Sequence, residues 1–187
     1  MKRIFDLFIS VILLFPLLAL PMLITAIAVR LTSPGPVIYW SDRIGRDNTI
    51  FRMPKFRSMR MNTPAVATHL IIDAETFFTP IGGFLRRYSL DELPQLFSIL
   101  KGDMSFVGPR PALFNQEDLI ALRTQNSIDK LLPGVTGWAQ VNGRDNLSIS
   151  EKVDLDLEYL NNKSFWFDLK IVWRTLLNVI KRENISH

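Results

Sequence analysis

The chain has no cysteine. Disulfide frameworks, thiolate metal sites and cysteine nucleophiles are therefore excluded. Histidine is almost as scarce: there are two, His69 and the terminal His187, too far apart in sequence to spell a local metal pair. Zinc chemistry is not expected, and any metal would be a hard ion such as Mg²⁺ on carboxylate oxygens. No internal repeat or low-complexity tract is visible. No nucleic-acid motif is visible either, and the basic residues lack the interleaved aromatics of RNA-binding surfaces; nucleic acid is not an expected partner.

Acidic residues are in modest deficit, 18 against 22 basic ones, for a net charge of +4. The imbalance is local. Between Asp42 and Arg60, six cations (Arg43, Arg46, Arg52, Lys55, Arg57, Arg60) stand against two anions (Asp42, Asp47). That excess equals the excess of the whole chain, and it suits an anionic membrane surface or a phosphate-rich substrate. Hydrophobic residues make up 48% and the mean hydropathy is +0.15, high for a purely soluble protein. A length of 187 residues fits one domain with an appendage.

The appendage is N-terminal. Leu7 to Val29 is an uncharged run of 23 residues, about 35 Å as a straight helix, long enough to span a bilayer. No small-x-small cleavage site follows, so it is not a signal peptide. Pro16 and Pro21 interrupt it, and proline removes a hydrogen bond and kinks a helix. Both flanks are basic, Lys2 and Arg3 before and Arg30, Arg43 and Arg46 after, which favours both ends on the cytoplasmic side. A kinked bitopic span and a re-entrant helix–break–helix both remain open on these grounds.

Beyond Arg30 the pattern changes. Ser33-Pro34-Gly35-Pro36 reads as a turn. Val37–Trp40 and Ile50–Phe56 are strand candidates joined through Arg43–Asn48, a small β-hairpin carrying the basic cluster. Met61–Ala74 reads as a loop or frayed helix over the site, and Thr79–Gly83 as a turn opening a short helix. Ser89, with Glu92 three residues on, spells a capping box and predicts a helix starting at Ser89, with Leu90, Leu93, Leu96, Phe97 and Leu100 on its apolar face. Asp91 would then lie in a first turn, where a helix dipole favours its charged form. Ala112–Thr124 predicts a helix, Pro133–Val141 an extended stretch, and Ser150–Tyr159 a helix capped by Ser150. Trp138 reads as a packed or interfacial aromatic, with stacking on a nucleobase as the alternative. Phe165–Arg182 is helical in period, rich in aromatics and dotted with cations, which suits a membrane interface. The expected fold is α+β and mainly helical, with a membrane-embedded unit over 1–32 and a catalytic unit over 33–187.

Function is concentrated in Arg86 to Gln95 and Lys101 to Pro111, where Asp91 and Glu92 lie between arginines. Arginine clusters suit phosphate; ordinary surface ion pairs give the same composition without chemistry. Six pieces decide between them: Lys2-Arg3-Ile4-Phe5-Asp6, Ser33 to Val37, Lys55-Phe56-Arg57-Ser58-Met59, Ser89 to Gln95, Lys101 to Pro111, and Pro133 to Arg144. In this order they resemble the bacterial sugar transferases, the monotopic phosphoglycosyl transferases. The chain departs from the family at Ile44, where proline is common, and at Leu132, where arginine often stands.

The resemblance implies a re-entrant anchor in the cytoplasmic leaflet of the bacterial inner membrane, with the active site facing the cytoplasm. It implies transfer of a sugar-1-phosphate from a UDP-sugar to polyprenyl phosphate, releasing UMP, through a covalent intermediate on Asp91. Asp91 and Glu92 are the implied catalytic and Mg²⁺-binding carboxylates; Arg86, Arg110 and Arg144, and more weakly Lys55, are the implied phosphate contacts. Asp103 would orient its loop. The short chain resembles the family's minimal form, which leans toward acetamido-deoxy sugars. The rival readings are a polybasic membrane-surface scaffold and a lipid-diphosphate phosphatase.

Overall fold

The structure is a computed structural model that describes residues 6–7, 10–11, 15–64, 73–143 and 146–181. It is mixed α/β and mainly helical. Helix α1 is Phe15–Thr32. Strands β1, Ile38–Ile44, and β2, Ile50–Phe56, pair antiparallel from Ile38 opposite Phe56 to Ile44 opposite Ile50. Helix α2, Gly82–Arg87, is followed by a 3₁₀ turn over Leu90–Glu92 and helix α3, Gln95–Lys101. Strand β3, Ser105–Val107, pairs in parallel with β4, Gly134–Thr136. Helix α4, Glu117–Gln125, lies between those strands in sequence, and α5, Trp138–Val141, follows them. Helices α6, Ile149–Asn162, and α7, Phe165–Lys181, complete the fold.

The expected helix–break–helix over 1–32 is not traced. Residues 1–5, 8–9 and 12–14 lie outside the described residues, and α1 continues through Pro21 without a break. Its 18 residues rise about 27 Å, just under a hydrocarbon core. Among the described residues no helix is long and apolar enough to cross a membrane. Both ends of this N-terminal segment are tied to the rest of the fold. Ser105 Oγ at the start of β3 donates to the buried Asp6 carboxylate at 2.9 Å. At the other end Arg57, also buried, donates to Pro34 O at 2.6 Å and to Ser33 O and Oγ at 2.8 and 2.6 Å.

The alternation of β2 explains the core. Phe51 and Met53 face inward onto Leu96 and Ile99 of α3 and onto Met104, while Arg52 faces solvent over the Trp40 ring at 5.3 Å. Val29, Phe56 and Leu85 join α1, β2 and α2 in a second cluster. Val107, Trp138, Tyr159 and Ile171 hold the β3–β4 pair against α5, α6 and α7.

Where β3 meets β4 the backbones touch. A Cβ on Gly134 would lie 2.1 Å from Gly108 N, and one on Gly137 2.1 Å from Gly108 O. Three glycines from two distant motifs thus share one contact, and no larger side chain fits without separating the strands.

The helix expected from Ser89 does not form. Ser89 is left-handed (φ 54°), its side chain caps nothing, and its carbonyl accepts from Glu92 N in a single 3₁₀ turn. It ends the α2 turn instead of opening a helix, and α3 begins only at Gln95, after Pro94. The capping box lies elsewhere: Ser148 Oγ accepts from Glu151 N at 3.3 Å, and Glu151 Oε2 accepts from Ser148 N at 2.8 Å. Ser148, not Ser150, therefore starts α6. Helix α4 begins at Glu117, later than its pattern suggests, because Leu113 bridges to Arg43 and Ala112 O accepts from Ile44 N. The loop expected over 61–74 falls largely on 65–72, outside the described residues.

Candidate active site

Four segments converge on one pair of acids. Strand β2 brings Lys55, α2 brings Arg86, the 3₁₀ turn brings Asp91 and Glu92, and the loop after β3 brings Arg110. Lys55 Nζ and Arg110 Nη2 both donate to Glu92 Oε1, each at 2.9 Å. The Lys55 and Glu92 side chains are 15% and 11% exposed, so solvent screens this pair of contacts only in part.

Asp91 is different. It is 5% exposed, and among the described residues no hydrogen bond or ion pair engages its carboxylate. Burial raises its pKa above the ordinary carboxylate value, and the neighbouring Glu92 charge adds to this; Lys55 opposes it most, then Arg86 and Arg110. No α-helix starts at Ser89, so the charged form of Asp91 rests on these side-chain cations and not on a helix dipole. Burial lowers the Lys55 pKa, against the pull of Glu92 and Asp91.

Arg86 is held edge and face. Its Nη1 meets Met59 Sδ at 3.4 Å and its guanidinium lies 5.3 Å from the Phe78 ring centre. Both contacts come from segments flanking residues 65–72. Arg144 lies outside the described residues, so its expected phosphate contact is not placed. Asp103 pairs with Lys101 at 2.9 Å, and among the described residues no hydrogen bond or ion pair joins it to Asp91 or Glu92. Trp138 is no stacking platform: it is buried, tilted on Phe167 at 4.9 Å, donates to Glu158 at 2.8 Å, and is covered by Lys170 and Arg174.

The arrangement is an unengaged, buried carboxylate beside a second carboxylate already clamped by two cations. Such a set receives a phosphate readily and presents it with an anionic oxygen. A model of the family described as bacterial sugar transferase matches residues 1–182. The chain belongs to that family. Among curated relatives it is 43% identical over 185 residues to the UDP-glucose:undecaprenyl-phosphate glucose-1-phosphate transferase of Escherichia coli K12, covering 94% of this chain and 39% of that protein. It is 41% identical to the undecaprenyl-phosphate glucose phosphotransferase of Komagataeibacter xylinus, over 99% of this chain and 36% of the relative. It is 38% identical to the uncharacterized sugar transferase EpsL of Bacillus subtilis, over 100% of this chain and 90% of the relative. The chain thus spans well under half the length of the first two relatives and nearly all of the third.

In this chain the Asp91 and Glu92 carboxylates are the groups suited to a cation. Among the described residues no cluster of three or more metal-ligating side chains forms. Two adjacent carboxylates, one of them without a hydrogen-bond partner among the described residues, fit a Mg²⁺ ion that takes its remaining ligands from water and phosphate oxygens.

Arg43 is the site residue that the sequence pattern did not single out. It stands on β1 close enough to sense both Glu92 and Arg110, and burial, with Arg110 beside it, lowers its pKa to about 10. Its place in the basic cluster was the available signal; its inward aim depends on the hairpin register.

Proposed function

We propose that this chain transfers a sugar-1-phosphate from a UDP-sugar to polyprenyl phosphate. The observation that carries the reading is the Asp91 carboxylate, buried and unengaged beside a Glu92 that Lys55 and Arg110 hold. In the first step an Asp91 oxygen attacks the β-phosphorus of the UDP-sugar. The new P–O bond forms as the bond to the bridging oxygen breaks, and UMP leaves. In the second step an oxygen of polyprenyl phosphate attacks the same phosphorus. The aspartyl bond breaks, the carboxylate returns, and the lipid carries the sugar on a diphosphate.

Each chain residue has work in this scheme. Lys55, Arg86 and Arg110 offset the charge that three phosphates bring toward a carboxylate. Glu92 fixes Lys55 and Arg110 in place. A Mg²⁺ ion held by Asp91 and Glu92 would, when bound, neutralise diphosphate charge. Arg144 is assigned to the phosphates by its motif alone.

The lipid substrate calls for a membrane site, and we propose a re-entrant anchor in the cytoplasmic leaflet of the bacterial inner membrane. The reading is supported by the two ends of the N-terminal segment: Asp6 docks on β3 and Ser33 on Arg57 just beyond β2, strands that share one core through Met53 and Phe106. Two ends that meet the same core are what a segment returning to its own side of the membrane would give. On α1, Leu17, Leu20, Leu23 and Leu31 are exposed, and on α7 Trp166 and Trp173 are, as an acyl and headgroup boundary requires.

The test is incubation with UDP-sugar, Mg²⁺ and undecaprenyl phosphate across a panel that includes UDP-glucose, UDP-galactose and UDP-N-acetyl sugars. Release of UMP with formation of the lipid diphosphate sugar is expected with at least one of them. Inorganic phosphate without UMP would identify a phosphatase, and no release of either would leave a scaffold. Asp91→Asn should fold, turn over nothing and form no phosphosugar adduct by mass spectrometry; retained turnover would remove Asp91 from the nucleophile's role.

A further inference from the structure

The loop that carries Arg110 is gripped at four consecutive carbonyls. Pro109 O accepts from Gly134 N at 2.9 Å and Ala112 O from Ile44 N at 2.9 Å. Between them, Arg110 O accepts from Arg123 Nη1 at 2.8 Å and Pro111 O from Arg43 Nη1 at 3.1 Å. Pro109, Pro111 and Ala112 are buried and Arg110 is half-buried, so these carbonyls cannot turn to water, and two of the four are satisfied by arginine side chains rather than by backbone.

Arg123 is itself anchored. Its Nε and Nη2 both donate to Asp156 Oδ2, at 3.0 and 2.6 Å. Asp156 on α6 is 1% exposed and the Arg123 side chain 11%. Buried ion pairs are poor sources of stability, since desolvating both charges offsets much of their attraction. Arg123 stands 13 residues from Arg110 in sequence. What it does contact is the backbone directly under Arg110. A planar guanidinium can serve a carboxylate with one edge and a carbonyl with another; an ammonium cannot hold both directions.

We propose that Arg123, oriented by Asp156, is a positioning residue: it fixes the main chain of Arg110 so that the Arg110 guanidinium meets Glu92 and an incoming phosphate. Arg43 does the same from the opposite side. The inference rests on the phosphoryl-transfer reading for its consequence in turnover, and on the geometry alone for its consequence in Arg110.

A double-mutant cycle tests it. Arg123→Lys keeps the charge against Asp156 but loses the carbonyl contact. A misplacement of about 1 Å costs on the order of 100-fold, so kcat/KM for the UDP-sugar should fall roughly 10- to 100-fold in the wild-type background. In an Arg110→Ala background the same substitution should change kcat/KM by less than about 3-fold, the scale of near-additive noise. Equal losses in both backgrounds would reduce Arg123 to a structural residue. A second readout needs no turnover: the NMR order parameter of the Arg110 Nε–H should drop in Arg123→Lys, and an unchanged value would overturn the proposal even if the protein released no UMP. Should Arg123→Lys fail to fold, Arg43→Lys frees the neighbouring carbonyl with the Asp156 pair intact. It is expected to lower the Arg110 order parameter too, and failure to do so would count against the brace.

Discussion

Gly134→Ala is a small change in a place with no room for it. The added Cβ would lie 2.1 Å from Gly108 N, 2.4 Å from Thr136 O and 2.7 Å from Gly108 O. All three are backbone atoms, so no side-chain rotation relieves the clash, and β3 and β4 must part by more than about 1 Å to restore ordinary contact distances. The hydrogen bonds that cross this seam next to Gly134 include Gly134 N to Pro109 O and Gly108 N to Thr136 O, both 2.9 Å. Losing them costs about 1 kcal/mol each and overpacking adds about 1–3, for a total of about 3–5 kcal/mol. At about 2–4 °C per kcal/mol for a chain of this length, the apparent Tm should fall by about 6–20 °C. UMP release should fall with it, because Arg110 follows Gly108 by two residues. Gly83→Ala is the control: its nearest neighbour is Phe78 Cδ2 at 3.5 Å, and alanine inside α2 should stabilise by up to about 1 kcal/mol. Thermal unfolding in detergent measures both. An apparent Tm for Gly134→Ala within about 2 °C of wild type would refute the steric reasoning.

Three further outcomes are expected. Turnover needs Asp91 ionised, and the Lys55 charge favours that form. Burial raises the Asp91 pKa, so activity should be lost on acidification at a higher pH than for an ordinary carboxylate; Lys55→Met, which removes the largest opposing charge, should move that limb higher still. An acid limb of kcat/KM that stays in place would break the assignment. Single cysteines placed before Asp6 and after Ser33 should label from the same face of sealed vesicles, and opposite-face labelling would exclude the re-entrant anchor. Ser148→Ala should lower the apparent Tm by about 2–4 °C and speed amide exchange at the start of α6, whereas Ser89→Ala, whose hydroxyl caps nothing, should leave α3 exchange unchanged.

The hairpin, α2, α6 and α7 were legible in the sequence: turn residues bounded the hairpin and α2, a serine marked the start of α6 to within two residues, and the helical period of apolar residues marked α7. The two Ser-x-x-Glu spellings show where local reading stops. Ser89 and Ser148 offer the same side chains at the same interval. Ser148 is extended and caps its helix, while Ser89 is left-handed at the end of α2. The preceding helix, and not the four-letter pattern, chose between them. The acid pair and its cations Lys55, Arg86 and Arg110 were legible as motifs. Arg43 and the Arg123–Asp156 pair were not, because their importance comes from contacts across 68 and 33 residues of sequence that no local pattern encodes.

The N-terminal segment is fastened to the rest of the fold at Asp6 and at Ser33. A single tether would leave its position free relative to the acid pair; two fastenings restrict it. Were α1 to enter a leaflet as proposed, its depth would set the height of Asp91, and a flexible insertion next to Pro34 would uncouple the two even with every side chain of the acid pair untouched.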